Sequence, residues 1–325
     1  QELLTEYGEF FRHDGDHASV AFRSITCETG HSADLDVVKA LYQACKDAVP
    51  DTLVVDDSSW IGWQRITDFW DEHPYGNNSW LPGRLQQFRQ HIREKGEKPL
   101  LLGECLAADT WVDMPAWRTA HGDGPRWSRP LCWDAQVDAE RWLVREFGAE
   151  TLASLQPAAL AFGLQNRKFQ IEQLRLTIPD AGYVVSVARD FPKARMGLYD
   201  DLDRPKWSAD DWAWHGDTML CLDLPFDRPA LAPGSTVTVR VAHRGPSPLR
   251  GRLVLSTDLV GAAVEHEVKL EPGQVSEPFE YFVDAWRNVA TPMRFEARLT
   301  GSAETSNAWP LWRLATPPTV AGDAV

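Results

Sequence analysis

The sequence predicts an α/β half followed by an all-β half. Residues 1 to about 208 alternate short β-rich runs with helix-period segments, the pattern of βαβ units. From about residue 213 onward, β-branched runs are separated by Pro/Gly turns and helical period is scarce. A chain of 325 residues also suits two domains, which the sequence divides at 1–208 and 209–325.

The first half opens on residues 3–11, which read as the end of a helix, followed by a strand at 19–25. Residues 34–48 form a helix with Leu35, Val38, Leu41 and Tyr42 on one face. A second strand at 53–55 ends in the acidic run Asp56-Asp57-Ser58, and a third is expected at 66–70, before a loop at 71–78. Pro82 suits the start of a helix running to about Lys95, because that position needs no N–H. The fourth strand covers 99–103 and ends at Glu104. A loop of more than 30 residues follows, holding Trp111, Trp117, Trp127 and Trp133; loops of that length in a compact domain are usually functional. Helices at 138–148 and 151–176 and a strand at 182–188 complete this half.

In the second half, strands are expected near 218–224, 235–243, 251–257, 264–270, 278–284 and 293–300. Turn pairs such as Pro233-Gly234 and Pro272-Gly273 punctuate them. Short strands at this spacing read as an immunoglobulin-like β-sandwich, without the Cys…Trp…Cys framework of antibody domains.

Net charge −14 and a pI near 5.1 repel phosphate backbones and anionic membrane surfaces, so neither nucleic acid nor membrane is an expected partner. No run of 18 uninterrupted apolar residues is present. The five cysteines are widely spaced with no CxxC pair; they read as buried free thiols and leave the compartment open. Tryptophan is the anomaly. Nine of 15 lie between Trp60 and Trp142, and flat indole faces beside a polar cleft suit stacking on sugar rings as well as core packing.

Two glutamates stand at the C-terminal ends of predicted parallel strands, Glu28 after 19–27 and Glu104 after 100–103. The 76 residues between them hold three βα steps. In a parallel barrel all strand C-termini open on one face, and strands three steps apart can look across it. A carboxylate pair there is what glycoside cleavage requires. A lone Glu at a strand end can also merely cap the next helix.

At this point the sequence resembles glycoside hydrolase family 2. His17-Ala-Ser-Val20 through Glu28-Thr-Gly30 resembles the acid/base strand, and Lys98 to Glu104 the nucleophile strand. Val55-Asp-Asp-Ser58 and the run from Asp68 to Asn77 resemble the intervening segments. Gly182-Tyr-Val-Val185, Arg189-Asp190, Gly197 to Asp200 and Arg204-Pro-Lys206 are similar to the last barrel strand and its exit. Asn307-Ala-Trp-Pro-Leu-Trp312 is similar to the ending of the C-terminal β domain. The resemblance implies the C-terminal portion of a (β/α)8 TIM barrel, about strands four to eight, then the sandwich. It implies a retaining β-glycosidase of the β-galactosidase or β-glucuronidase kind, acting on oligosaccharides or polysaccharide ends, with no cofactor and no metal. Glu28 matches the general acid/base and Glu104 the nucleophile. His73, Tyr75 and Asn77 match a loop that bonds nucleophile or substrate, and Trp111 a sugar-stacking platform.

Two positions depart from the family pattern. Cys27 stands where Asn would bond the sugar 2-OH, and Arg23 where the strand would be apolar. The Cys27 departure leaves a second reading, a non-catalytic carbohydrate-binding relative of the same fold. The sandwich taken alone can be a packing module with no ligand of its own. The resemblance also implies that earlier barrel strands and β domains precede this chain, which by itself is expected to be inactive.

Overall fold

The computed structural model describes all residues except 76–79, 123–128, 225–229, 233, 259–261, 284–291 and 314–325. The chain divides into two compact units, Gln1–Arg167 with Asp180–Lys206, and Lys168–Pro179 with Trp207–Val325.

The first unit holds α1 (Glu2–Asp14), β1 (Phe22–Cys27), α2 (Leu35–Ala48), β2 (Leu53–Ser58), β3 (Trp70–Glu72), α3 (Leu81–Lys95), β4 (Leu100–Cys105), α4 (Met114–His121), α5 (Trp133–Phe147), the start of α6 (Glu150–Thr177) and β5 (Gly182–Val185). β1 pairs parallel with β2, and β3-β4-β5 form a second parallel sheet in chain order. The helices follow from local chemistry. The Asp34 carboxylate accepts from the Asp36 and Val37 amides at the start of α2, whose Val38, Leu41 and Cys45 are buried. Pro82 opens α3, which buries Leu81, Leu85, Phe88 and Ile92 at helical spacing.

Several boundaries differ from the sequence reading. The first strand begins at Phe22, because Val20 donates back to the His17 carbonyl in a turn. Arg23 belongs on the strand after all: it is buried and forked onto Asp14 at 2.8 and 3.2 Å. The third strand lies at Trp70–Glu72 rather than 66–70. Asp68 is drawn away by Tyr42, Lys46 and the Val54 amide, and Thr67 makes a single bridge to Val55. Asp71 and Glu72, read as loop residues, are therefore buried strand residues. The long Trp-bearing loop contains α4, capped by Asp113 and opened by Pro115, and α5 starts at Trp133 rather than 138.

The second unit holds β6 (Thr218–Leu222), β7 (Ala230–Leu231), β8 (Ser235–His243), β9 (Leu249–Thr257), β10 (Val264–Leu270), β11 (Phe279–Val283), β12 (Met293–Gly301) and β13 (Thr305–Arg313). They form two sheets, β10-β9-β12-β13-β7 and β11-β8-β6. Alternate residues of both sheets, among them Val237, Val239 and Val241 on β8 and Phe295, Ala297 and Leu299 on β12, meet in one buried core. β13 is not among the strands read from the sequence, and it carries Pro310, which has no N–H to give to a ladder. Among the described residues β7 pairs with it at Trp312 and Arg313, so the missing Pro310 N–H interrupts no described ladder on that side. Trp309 is buried and Trp312 is 43% exposed.

The C-terminal end of α6 belongs to this unit. The buried Glu172 accepts from Trp309 Nε1 at 3.0 Å, Asn307 Nδ2 at 2.9 Å and the Leu222 amide at 3.2 Å. Among the described residues, no helix is long and apolar enough to cross a membrane.

Candidate active site

The two glutamates lie at the C-terminal ends of parallel strands. Glu104 is the penultimate residue of β4, and Glu28 follows β1 with its amide donating to the Ser58 carbonyl at 3.1 Å. Glu28 has φ +54°, a left-handed conformation that costs a non-glycine residue about 1 kcal/mol or more. The buried Asp57 holds that turn. Its Oδ1 accepts from Thr26 Oγ1 at 2.7 Å and the Thr29 amide at 3.1 Å, its Oδ2 from the Gly30 amide at 2.9 Å and Ser59 Oγ at 2.7 Å. Burial alone would raise the Asp57 carboxyl, but these donors hold it below the ordinary carboxylate range. Gly30 (φ +55°) closes the turn against Trp63; a Cβ there would come within 2.6 Å of the indole.

His73, immediately after β3, joins the two carboxylates. Its Nδ1 lies 3.0 Å from Glu28 Oε1 and 3.8 Å from Glu104 Oε2. Its other nitrogen, Nε2, is 3.0 Å from Ser58 Oγ, and Ser58 donates to Asp71 Oδ2 at 2.7 Å. The remaining Asp71 oxygen accepts from the Gly103 amide at 2.9 Å. Burial pushes the Asp71 carboxyl up, opposed by the Ser58 hydrogen bond and the His73 charge. Tyr75 donates to Glu104 Oε2 and is hydrogen-bonded to Ser186; burial and the Glu104 bond push its phenol up to about 12. The Cys27 thiol is raised by burial and by the charges of Glu104 and Glu28, which places it in the same field.

Glu28, Glu104, His73, Tyr75 and Cys27 thus converge. Trp111 does not join them among the described contacts: its indole donates to Glu140 at 3.0 Å, and it lines a depression with Asp113, Trp117 and Arg204. Asn77 lies outside the described residues. Sequence reasoning missed Asp57, Ser58, Asp71 and Gly103 as site residues, although the acidic run at 56–58 was noted at its strand end. Trp63, 38% exposed, packs against Gly30 of the Glu28 turn, and Trp60, 37% exposed, lies edge to face on it at 4.4 Å.

Glu28, His73 and Glu104 each present one donor atom, all within 4.8 Å of one another. That spacing admits a small cation, but His73 Nδ1 is already engaged by Glu28 and the set lacks a fourth protein ligand among the described residues. A proton-sharing arrangement accounts for the same geometry.

No protein-family profile and no curated protein sequence matches this chain. Among solved structures, it is similar to a β-D-mannosidase from Dictyoglomus thermophilum, at TM-score 0.60 and 12% identity over 94% of this chain and 40% of that one. It is similar also to the exo-β-D-glucosaminidase CsxA, at TM-score 0.55 and 12% identity over 95% of this chain and 38% of that one. The chain spans about two fifths of the length of these structures, and it shares its fold with that portion of two β-glycosidases.

Proposed function

We propose that this chain is the C-terminal part of a retaining β-glycosidase. Residues 1–208 are then the later strands of a (β/α)8 barrel, and 209–325 an immunoglobulin-like sandwich. The observation that carries the reading is the Glu28–His73–Glu104 cluster at the ends of parallel strands. Oxygens of the two carboxylates within 4.8 Å of each other suit a direct attack, because retaining pairs stand roughly 5–5.5 Å apart and inverting pairs, which admit a water, about 6.5–9.5 Å. Glu104, held by Tyr75, attacks the anomeric carbon; Glu28 protonates the departing oxygen and then takes a proton from the hydrolytic water. Trp63, against the Glu28 turn, offers a stacking face for the leaving group. The coverage of about two fifths of the matched structures supports further barrel strands and β domains supplied by the same protein.

Cys27 favours one alternative, a carbohydrate-binding protein without turnover, because a thiol is a weak partner for a sugar hydroxyl. The natural full-length protein incubated with a panel of aryl β-glycosides separates the two. Release of the aryl group from any member supports the glycosidase. Sugar binding with no release from any member leaves the binding protein.

A further inference from the structure

The cluster contains a hydrogen-bond chain whose direction is set from its buried end. We infer that Asp71, acting through Ser58, keeps Nε2 of His73 protonated and so leaves one shared proton on the contact between His73 and Glu28.

Asp71 is 2% exposed and has both oxygens committed, Oδ1 to the Gly103 amide and Oδ2 to the Ser58 hydroxyl. A hydroxyl carries a single proton. Once Ser58 gives it to Asp71, its oxygen can only accept, and the ring nitrogen 3.0 Å away must be an N–H. His73 Nδ1 then faces Glu28 Oε1 at 3.0 Å. Two acceptors at that distance do not bond, so a proton sits between them, on Glu28 beside a neutral ring or on the ring beside a carboxylate. The carboxylates facing His73 are Glu28 from the end of β1, Asp71 and Glu72 from β3, and Glu104 from β4; the Tyr75 phenol and the Cys27 thiol are the neutral titratable groups beside them.

Asp71 and Ser58 are positioning residues, since each acts on Glu28 through His73. On the glycosidase reading, which this inference extends, the shared proton is the one the acid step uses. The Glu28 O–H bond breaks as the proton passes to the glycosidic oxygen, and the attacking water returns a proton to Glu28 in the second step.

Asp71→Asn reverses the chain. The Gly103 amide still requires an acceptor, so the Asn oxygen faces it and the NH2 group faces Ser58. Ser58 must then donate to Nε2, and Nδ1–H donates to an ionised Glu28. Nitrogen-15 correlation spectra of the imidazoles, with His73 assigned by loss of its signal in His73→Gln, read this directly. In the parent at neutral pH, Nε2 of His73 carries the proton; in Asp71→Asn it loses it. An unprotonated Nε2 in the parent, or an unchanged spectrum in Asp71→Asn, overturns the inference. Should Asp71→Asn fail to fold, Ser58→Ala cuts the chain, and an Nδ1–H form must appear beside the Nε2–H form; a sole Nε2–H signal overturns it equally. In turnover, Asp71→Asn lowers kcat about 100-fold for glycosides with poor leaving groups and far less for activated aryl glycosides. The spectra need no turnover, so a parent that cleaves nothing sinks the glycosidase reading and leaves the proton chain to be judged on its own.

Discussion

The Gly103 amide donates to Asp71 Oδ1 at 2.9 Å, and a Cβ on residue 103 would lie 2.5 Å from that same oxygen. Only glycine lets the strand that carries Glu104 approach the buried carboxylate so closely. Gly103→Ala is expected to displace Asp71, strand a buried acceptor and destabilise the fold by about 1–3 kcal/mol. Urea denaturation of the parent and the variant measures it. Stability within about 0.5 kcal/mol of the parent would show that the contact is dispensable.

The two glutamates should separate by leaving group. Glu104→Ala abolishes turnover of every substrate in the full-length protein. Glu28→Ala loses about 100-fold or more on poor leaving groups, spares those needing no protonation, and regains its deglycosylation step with added azide. Rescue of Glu104→Ala instead would exchange the two roles.

Tyr75 should remain a neutral donor to Glu104 well above neutrality. Its phenol is raised from 10.0 to about 12, so the folded state keeps the proton that the unfolded chain gives up. The resulting stability is present in full below pH 10 and is lost as pH rises from 10 to about 12. Phenolate absorbance compared with Tyr75→Phe locates the titration; a phenol ionising near 10 contradicts it. In turnover, Tyr75→Phe costs about 10- to 100-fold, the worth of a hydrogen bond to a charged group.

Trp63→Ala should raise KM several-fold for oligosaccharides while leaving short aryl glycosides nearly unchanged, because the lost indole face serves the leaving-group side. An equal effect on both substrate classes would assign Trp63 to the support of the Glu28 turn instead.

In the second unit, Lys168 lies 3.9 Å from Glu172 and 4.6 Å above the Trp309 ring, and burial lowers its amine to about 8. Glu172→Gln keeps an acceptor for Trp309 and Asn307 but strands the cation, costing about 3 kcal/mol. Adding Lys168→Met removes the stranded charge, so the double variant should melt above the single one. A double variant that melts lower means that the pair is not what the Gln substitution breaks.

The sequence by itself determined the parts of this protein that are local. Apolar runs closed by a single glutamate put Glu28 and Glu104 at strand ends, and alternation with Pro/Gly turns placed β8 to β12 almost to the residue. Asp34 and Pro82 announced their helices through capping chemistry that needs no tertiary partner. Tertiary structure decided the rest. Asp71 looked like a loop residue until pairing of β3 with β4 shifted the strand and buried it against Gly103, 32 residues away. His73 meets Glu28 across 45 residues, and a hydrogen bond of that reach leaves no trace in periodicity. Whether β13 tolerates Pro310 depends on which neighbour stands beside it to need the missing N–H, which only the sheet order decides. Trp111 and Trp63 are the same residue type in the same Trp-rich stretch, but only Trp63 packs against the Glu28 turn. Composition counts indoles; the packing of the turn decides which one lies against it.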